Sequence, residues 1–273
     1  MAKTASLVFF YFGEDSYINR LAQETVPTWL ALDGYDHSVL LRHETDVNLG
    51  DCKFELSEKA EQMADVIAPP TRQNLADQLN RLGEEGYDAV DIFIFSHGWK
   101  DSFLCCKEGG EYGDNATVKQ SWLEPRVKPL NIRMVWQCNC YGSTMNDMWR
   151  NLGAKAAGGS KFVNFYPTRF KKFIKLWRRG ETFSGALYRS DTKLVHTPVQ
   201  LYILGDAAAR TEKWDGNLWQ AARVLGNNDH SRRYFRECWN GDDVPEGKSG
   251  KQIMNDSSKM LIAGNRRLRR DPV

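Results

Sequence analysis

Two apolar runs of strand length, residues 90–95 and 132–136, constrain this chain most. Neither alternates polar with apolar along its length, so each must be covered on both faces, and a run at 199–204 has the same character. Shorter apolar stretches at 7–12 and 38–41 read as further strands. Helix-length amphipathic segments fall between them. Residues 71–82 carry Leu75, Leu79 and Leu82 on one face and stop near Gly83 and Gly86. Residues 144–152 set Met145, Met148, Trp149 and Leu152 on one stripe, closed by Gly153. After Pro167, Phe170, Phe173, Ile174 and Trp177 follow helical spacing up to Gly180. Strands and helices in this alternation imply an α/β fold: a central, mostly parallel sheet with helices on both faces.

The length of 273 residues is enough for one large domain that folds without a metal or disulfide. Residues 1–240 read as that domain, with 44–70 as an insertion holding a helix near 58–66. Residues 241–273, rich in Gly, Lys, Asp and Ser, read as a polar extension ending in the basic run Arg266 to Arg270. The run at 7–12 is too short for a signal peptide and lacks a small-residue cleavage site, and no stretch is long enough to span a membrane. The six cysteines show no secreted-scaffold spacing, so reduced thiols and a cytoplasmic location are expected. A formal charge of +2 makes no case for a nucleic-acid or membrane partner. The segment 161–179 holds seven basic residues, but helical spacing turns its aromatics inward, so its charges read as a solvated face.

In open parallel sheets, reactive groups gather beyond the carboxyl ends of the strands. Two runs here end in such groups. Residues 90–95 lead into Ser96-His97-Gly98, and residues 132–136 lead into Gln137-Cys138-Asn139-Cys140-Tyr141-Gly142. If the two strands are neighbours, His97 meets a cysteine of the second turn. An imidazole can take the thiol proton and later return it to a leaving group. A place between a strand and a helix N-terminus is expected to lower the thiol's pKa. Gly98, lacking a Cβ, can bring its N–H close to a developing oxyanion, alongside the N–H of the nucleophile. Strand alternation points Cys138 the same way as Met134 and Trp136, into a covering layer. Cys140, past the strand end and followed by x-Gly, has the better exposure and is the favoured nucleophile.

A strand ending in His-Gly and a later one ending near Cys-x-Gly resemble the clan of cysteine peptidases that holds caspases, legumain, gingipain and clostripain. Gln137 to Gly142 is similar to the caspase Gln-Ala-Cys-x-Gly pattern, with one extra residue before the cysteine. Residues 101–104 resemble the short strand after His-Gly, residues 154–160 the next small-residue strand, and Leu204-Gly205-Asp206 a late turn of the gingipain-like branch. The resemblance implies a three-layer caspase-like sandwich and a hydrolase cutting peptide bonds through an acyl-enzyme on Cys140. In it His97 is the base and then the acid, Gly98 and Cys140 supply the oxyanion hole, and no cofactor is needed. Asp15, after the first strand, falls where related enzymes place specificity residues, so it is a candidate for binding a basic substrate side chain. Asn139 stands where the family usually has a small residue.

Other readings of the same residues remain. A catalytically silent caspase-like module that binds a protein partner would keep the fold without the chemistry, and Asn139 favours it. A flavodoxin-like binding domain lacks its phosphate-cradling Gly-rich loop after the first strand. Cys105-Cys106 and Cys138-x-Cys140 are spaced too closely for a structural zinc site.

Overall fold

A computed structural model describes residues 2–13, 28–43, 55–110, 114–162, 164, 169–190 and 256–270. The chain opens with β1 (Thr4–Tyr11), a short helix α1 (Trp29–Leu32) and β2 (His37–Leu41). Next come α2 (Glu55–Met63), β3 (Val66–Ala68) and α3 (Arg72–Glu84). The expected double-sided strands follow as β4 (Ala89–Ser96) and β8 (Ile132–Cys138), separated by β5 (Gly98–Trp99), β6 (Ser102–Cys106), β7 (Asn115–Lys119) and α4 (Gln120–Leu123). After β8 lie α5 (Asn146–Asn151), β9 (Ala156–Ser160), α6 (Arg169–Arg178), α7 (Phe183–Ser190) and β10 (Met260–Gly264).

Seven of these strands form one sheet in the order β10-β9-β8-β4-β1-β2-β3, and β5, β6 and β7 form a small antiparallel sheet. Every pairing in the large sheet is parallel except that of β10 with β9. Alternate side chains of its central strands enter two separate cores. Leu7, Phe9, Ile92, Ile94 and Val135 pack with Leu75 and Leu79 of α3 and Trp149 of α5. Val8, Phe10, Phe93, Phe95, Met134 and Trp136 pack with Phe170, Phe173 and Trp177 of α6 and Phe183 of α7. Burial on both faces is why these runs show no polar alternation. The result is the helix-covered, mostly parallel sheet that the sequence implies.

Local chemistry sets several boundaries. The Thr71 hydroxyl caps α3 by accepting the Asn74 N–H at 3.1 Å. The stripe at 144–152 is split: a 3₁₀ turn over Gly142–Met145 precedes α5. In α6 the aromatics are fully buried and Lys171, Lys172 and Lys175 are exposed, as its spacing requires.

Two stretches depart from their sequence reading. Within 44–70, read as an insertion, Val66–Ala68 add a parallel strand to the edge of the sheet. Within 241–273, read as a polar extension, Met260–Gly264 form the opposite, antiparallel edge. The terminal arginines also act as fasteners rather than as a loose tail. Arg269 donates to the Gly180 carbonyl at 2.8 Å, and Arg270, only 3% exposed, lies 4.1 Å over the Tyr35 ring and donates to the Gly34 carbonyl. The strand at 199–204, the Leu204-Gly205-Asp206 turn, Cys52 and Cys238 lie outside the described residues.

One buried ion pair sits near the amino ends of β4 and β8, away from the reactive turns. Asp91 is fully buried and accepts Arg133 Nε at 2.8 Å and Nη2 at 2.7 Å. Tyr35 Oη and Trp177 Nε1 donate to the same carboxylate at 2.6 Å and 2.9 Å. All four hydrogen bonds are charge-assisted by the carboxylate that accepts them, which makes the burial tolerable.

Candidate active site

Strands β4 and β8 are parallel neighbours, in register from Asp91 opposite Met134 to Phe95 opposite Cys138 after a bulge between Val90 and Asp91. Their carboxyl ends therefore lie side by side, with His97 directly after one and Cys140 two residues past the other. The first turn is held by the small sheet. The His97 carbonyl accepts the Leu104 N–H at 2.9 Å, and Ser96 Oγ lies 2.9 Å from the same oxygen. Gly98 then pairs with Phe103 to start a hairpin. The half-buried His97 ring meets Phe12, beyond the end of β1, edge to face at 5.5 Å between centroids.

The second turn leaves β8 at Asn139, bends, and enters the 3₁₀ turn. Tyr141 adopts a left-handed conformation with φ of 55°. Its N–H donates to the Phe162 carbonyl at 2.6 Å, and its carbonyl accepts the Thr144 N–H at 2.9 Å. Thr144 Oγ1 in turn accepts the N–H of Asp101 at 2.8 Å. Asp101 is the other left-handed non-glycine residue described, with φ of 58°. The same hydroxyl donates to the Tyr141 carbonyl at 2.9 Å, so it ties Tyr141 to Asp101 in the hairpin turn between β5 and β6. Deeper in, Gln137 donates to Asn146 Oδ1 at 2.9 Å and accepts the Trp149 indole N–H at 3.0 Å, fixing the end of β8 to α5.

The two turns meet at glycines. A Cβ on Gly98 would fall well inside contact distance of the Cys140 carbonyl oxygen, and 2.8 Å from Asn139 Nδ2. A Cβ on Gly142 would fall 2.9 Å from Asn139 Oδ1. Asn139, 1% exposed, therefore fills the space that these two glycines leave open. Its Oδ1 has no hydrogen-bond partner among the described residues. The larger residue before Cys140 is thus accommodated without displacing either turn.

Cys140 is partly exposed, whereas Cys138 is 4% exposed and packs in the same core as Met134 and Trp136. The N–H of Asn164 approaches the Cys140 sulfur at 3.4 Å, and the N–H groups of Gly98 and of Cys140 itself also support a thiolate there. Burial of the sulfur outweighs all three and pushes the Cys140 thiol above its ordinary value. This reverses the expectation of a lowered pKa. The stabilising amides belong to three separate segments, and desolvation of the sulfur exceeds their combined effect. Cys138 is raised by burial, and further by a charge on Cys140.

Gly98 and Cys140 pack against each other at the carboxyl end of the sheet and His97 precedes Gly98 in the same turn, while Asp15 lies outside the described residues. Cys105 and Cys106 are elsewhere, in β6; burial pushes the Cys105 thiol up to about 12. Sequence reasoning missed Phe12, Thr144 and Asn164. Phe12 was visible only as the end of an apolar run, and nothing in the sequence near Asn164 marks it as a neighbour of Cys140.

No family model matches this chain, and no curated protein matches it. Among solved structures, it is similar to a secreted C11 cysteine protease from Bacteroides thetaiotaomicron in complex with an irreversible peptide inhibitor. That match has a TM-score of 0.37 and 9% identity, and covers 63% of this chain and 53% of the other. A second structure of a secreted C11 cysteine protease from the same organism, named iotapain, gives 0.36 and 10%, covering 63% and 57%. The chain thus spans little more than half the length of either. On its own topology, the fold is a three-layer α/β sandwich with a mostly parallel seven-stranded sheet. Among the described residues no helix is long and apolar enough to cross a membrane.

Proposed function

We propose that this chain is a cysteine peptidase that hydrolyses peptide bonds through an acyl-enzyme on Cys140. His97 takes the Cys140 proton as the sulfur attacks the substrate carbonyl, and then delivers it to the departing amine. The developing oxyanion is met by the N–H groups of Gly98 and Cys140, which point into the same small space. A water molecule, deprotonated by His97, then releases the acyl group. Because burial holds the thiol protonated at rest, His97 acts as a base at the moment of attack rather than by maintaining a standing thiolate. The observation that carries this reading is the packing of Gly98 onto Cys140, with the Gly98 N–H directed at the sulfur.

A peptide carrying an electrophilic warhead tests the proposal. Mass spectrometry should find the label on Cys140, with Cys140→Ala unlabelled and Cys138→Ala still labelled. Label on Cys138 would move the nucleophile. A second reading, a silent module that binds a protein partner, is favoured by the raised thiol and by Asn139 beneath the turns. Complete failure of labelling in a folded protein would select it.

A further inference from the structure

Cys138 is a buried thiol that peptide hydrolysis does not use, and its place is unusual. It is separated from Cys140 by one residue, and both sulfurs lie against Asn164. The Asn164 backbone N–H reaches Cys140 at 3.4 Å, and its side-chain Nδ2 reaches Cys138 at 3.6 Å. Residues two apart in sequence have Cα atoms at most about 7 Å apart, and a disulfide spans about 4.4–6.8 Å. The two ranges overlap over most of their extent, and the shared contact with Asn164 brings both sulfurs to one residue. Access is graded as well: residue 140 is partly exposed whereas Cys138 is 4% exposed and packs in the core.

We propose that Cys138 is the resolving thiol of Cys140, and that a hydroperoxide converts the pair into a reversible Cys138–Cys140 disulfide. In the first step the Cys140 sulfur attacks the outer peroxide oxygen. The O–O bond breaks, the thiol proton passes to the departing oxygen to give an alcohol or water, and Cys140 becomes a sulfenic acid. In the second step the Cys138 sulfur attacks the Cys140 sulfur. The S–S bond forms, the S–O bond breaks, and hydroxide leaves with the Cys138 proton as water. Two thiols are oxidised by two electrons and one peroxide is reduced. The bridge blocks the sulfur that the proposed peptidase reaction needs, and protects it from irreversible oxidation until a thiol reductant restores it.

This inference rests on the proposed role of Cys140 as the nucleophile, but its test does not read peptide cleavage. The full-length protein is treated with hydrogen peroxide, alkylated and digested with trypsin. The peptide running from Met134 to Arg150 holds both cysteines and no others. The expected product is that peptide lighter by two hydrogens, unalkylated, and returned to the doubly alkylatable form by dithiothreitol. In Cys138→Ala, Cys140 should instead gain two or three oxygens and resist dithiothreitol. The inference is overturned if the wild-type peptide carries those oxygens without the bridged form. It is equally overturned if Cys140 pairs with another cysteine, or if Cys138→Ala recovers as fully as wild type. A bridge in a protein that cleaves no peptide would sink the peptidase reading alone; cleavage without a bridge would sink this inference alone.

Discussion

Gly98→Ala isolates the contact on which the site is built. Gly98 is not among the described residues with positive φ, so alanine is allowed by the backbone and only its methyl group is at issue. That methyl would overlap the Cys140 carbonyl oxygen and lie 2.8 Å and 2.9 Å from Nδ2 and Cβ of Asn139. Relief to an ordinary C···O separation near 3.3 Å needs the turns to part by about 1 Å. Overpacking of this kind costs roughly 1–3 kcal/mol. For a domain of this size that lowers the melting temperature by about 2–12 °C. The same retreat withdraws an oxyanion donor, whose loss costs about 10²–10³ in rate. The assay pairs kcat/KM on a reporter peptide with a thermal melt. Adding Asn139→Ala should recover a small part of the melting temperature, because the overlap with Nδ2 disappears while the Cβ of residue 139 stays. It should recover little rate, because the overlap with the Cys140 carbonyl remains. A Gly98→Ala enzyme with wild-type kcat/KM would refute the placement of this N–H at the reaction centre.

Four further expectations can be checked directly. His97→Ala should slow hydrolysis by about 10²–10⁴ while the protein still folds. Because burial raises the Cys140 thiol, alkylation should climb with pH; without the imidazole that climb should shift upward, and identical profiles would separate His97 from Cys140. Arg133→Leu strands a buried carboxylate, a change costing about 3–5 kcal/mol. Tyr35 and Trp177 still donate to Asp91, which favours the lower end, and calorimetry should show the melting temperature recovering when Asp91→Asn is added. Asp15→Ala should reduce cleavage after Arg or Lys relative to cleavage after acidic residues; an unchanged ratio on a peptide library would remove Asp15 from the site.

Much of the fold was legible because its central strands are buried on both faces, a pattern that survives in one dimension. Residues 90–95 and 132–136 could hardly be anything else, and their ends pointed to His97 and Cys140. The edges were harder to read. Met260–Gly264 is half-exposed and surrounded by polar residues, so its strand character comes from its partner β9 and not from its own pattern. Arg270 looked like a solvated charge because nothing near it in sequence indicates the Tyr35 ring on which it stacks. The sign of the Cys140 shift was illegible for a related reason. Desolvation depends on everything that surrounds the sulfur, whereas the helix-terminus argument considers only its own segment. Asn139 looked like a mismatch because the room made for it comes from two glycines, one of which lies in the other turn.

The antiparallel edge strand has a consequence for the order in which the protein is made. β10 pairs with β9 across roughly 100 residues of chain, a separation that makes this contact late and slow to form. It also braces the second turn: Asn146 Nδ2 donates to the Leu261 carbonyl at 3.1 Å, and the Phe162 N–H to the Ser257 carbonyl at 2.9 Å. Phe162 is the residue whose carbonyl holds Tyr141 in its left-handed pose. While the nascent chain is still being elongated, His97 and Cys140 have both been made but the brace behind Cys140 has not. At about 5–20 residues per second, the turn waits several seconds for its support to emerge. Translation itself delays the finished site, so a polypeptide still on the ribosome carries the two reactive side chains before it carries their final geometry.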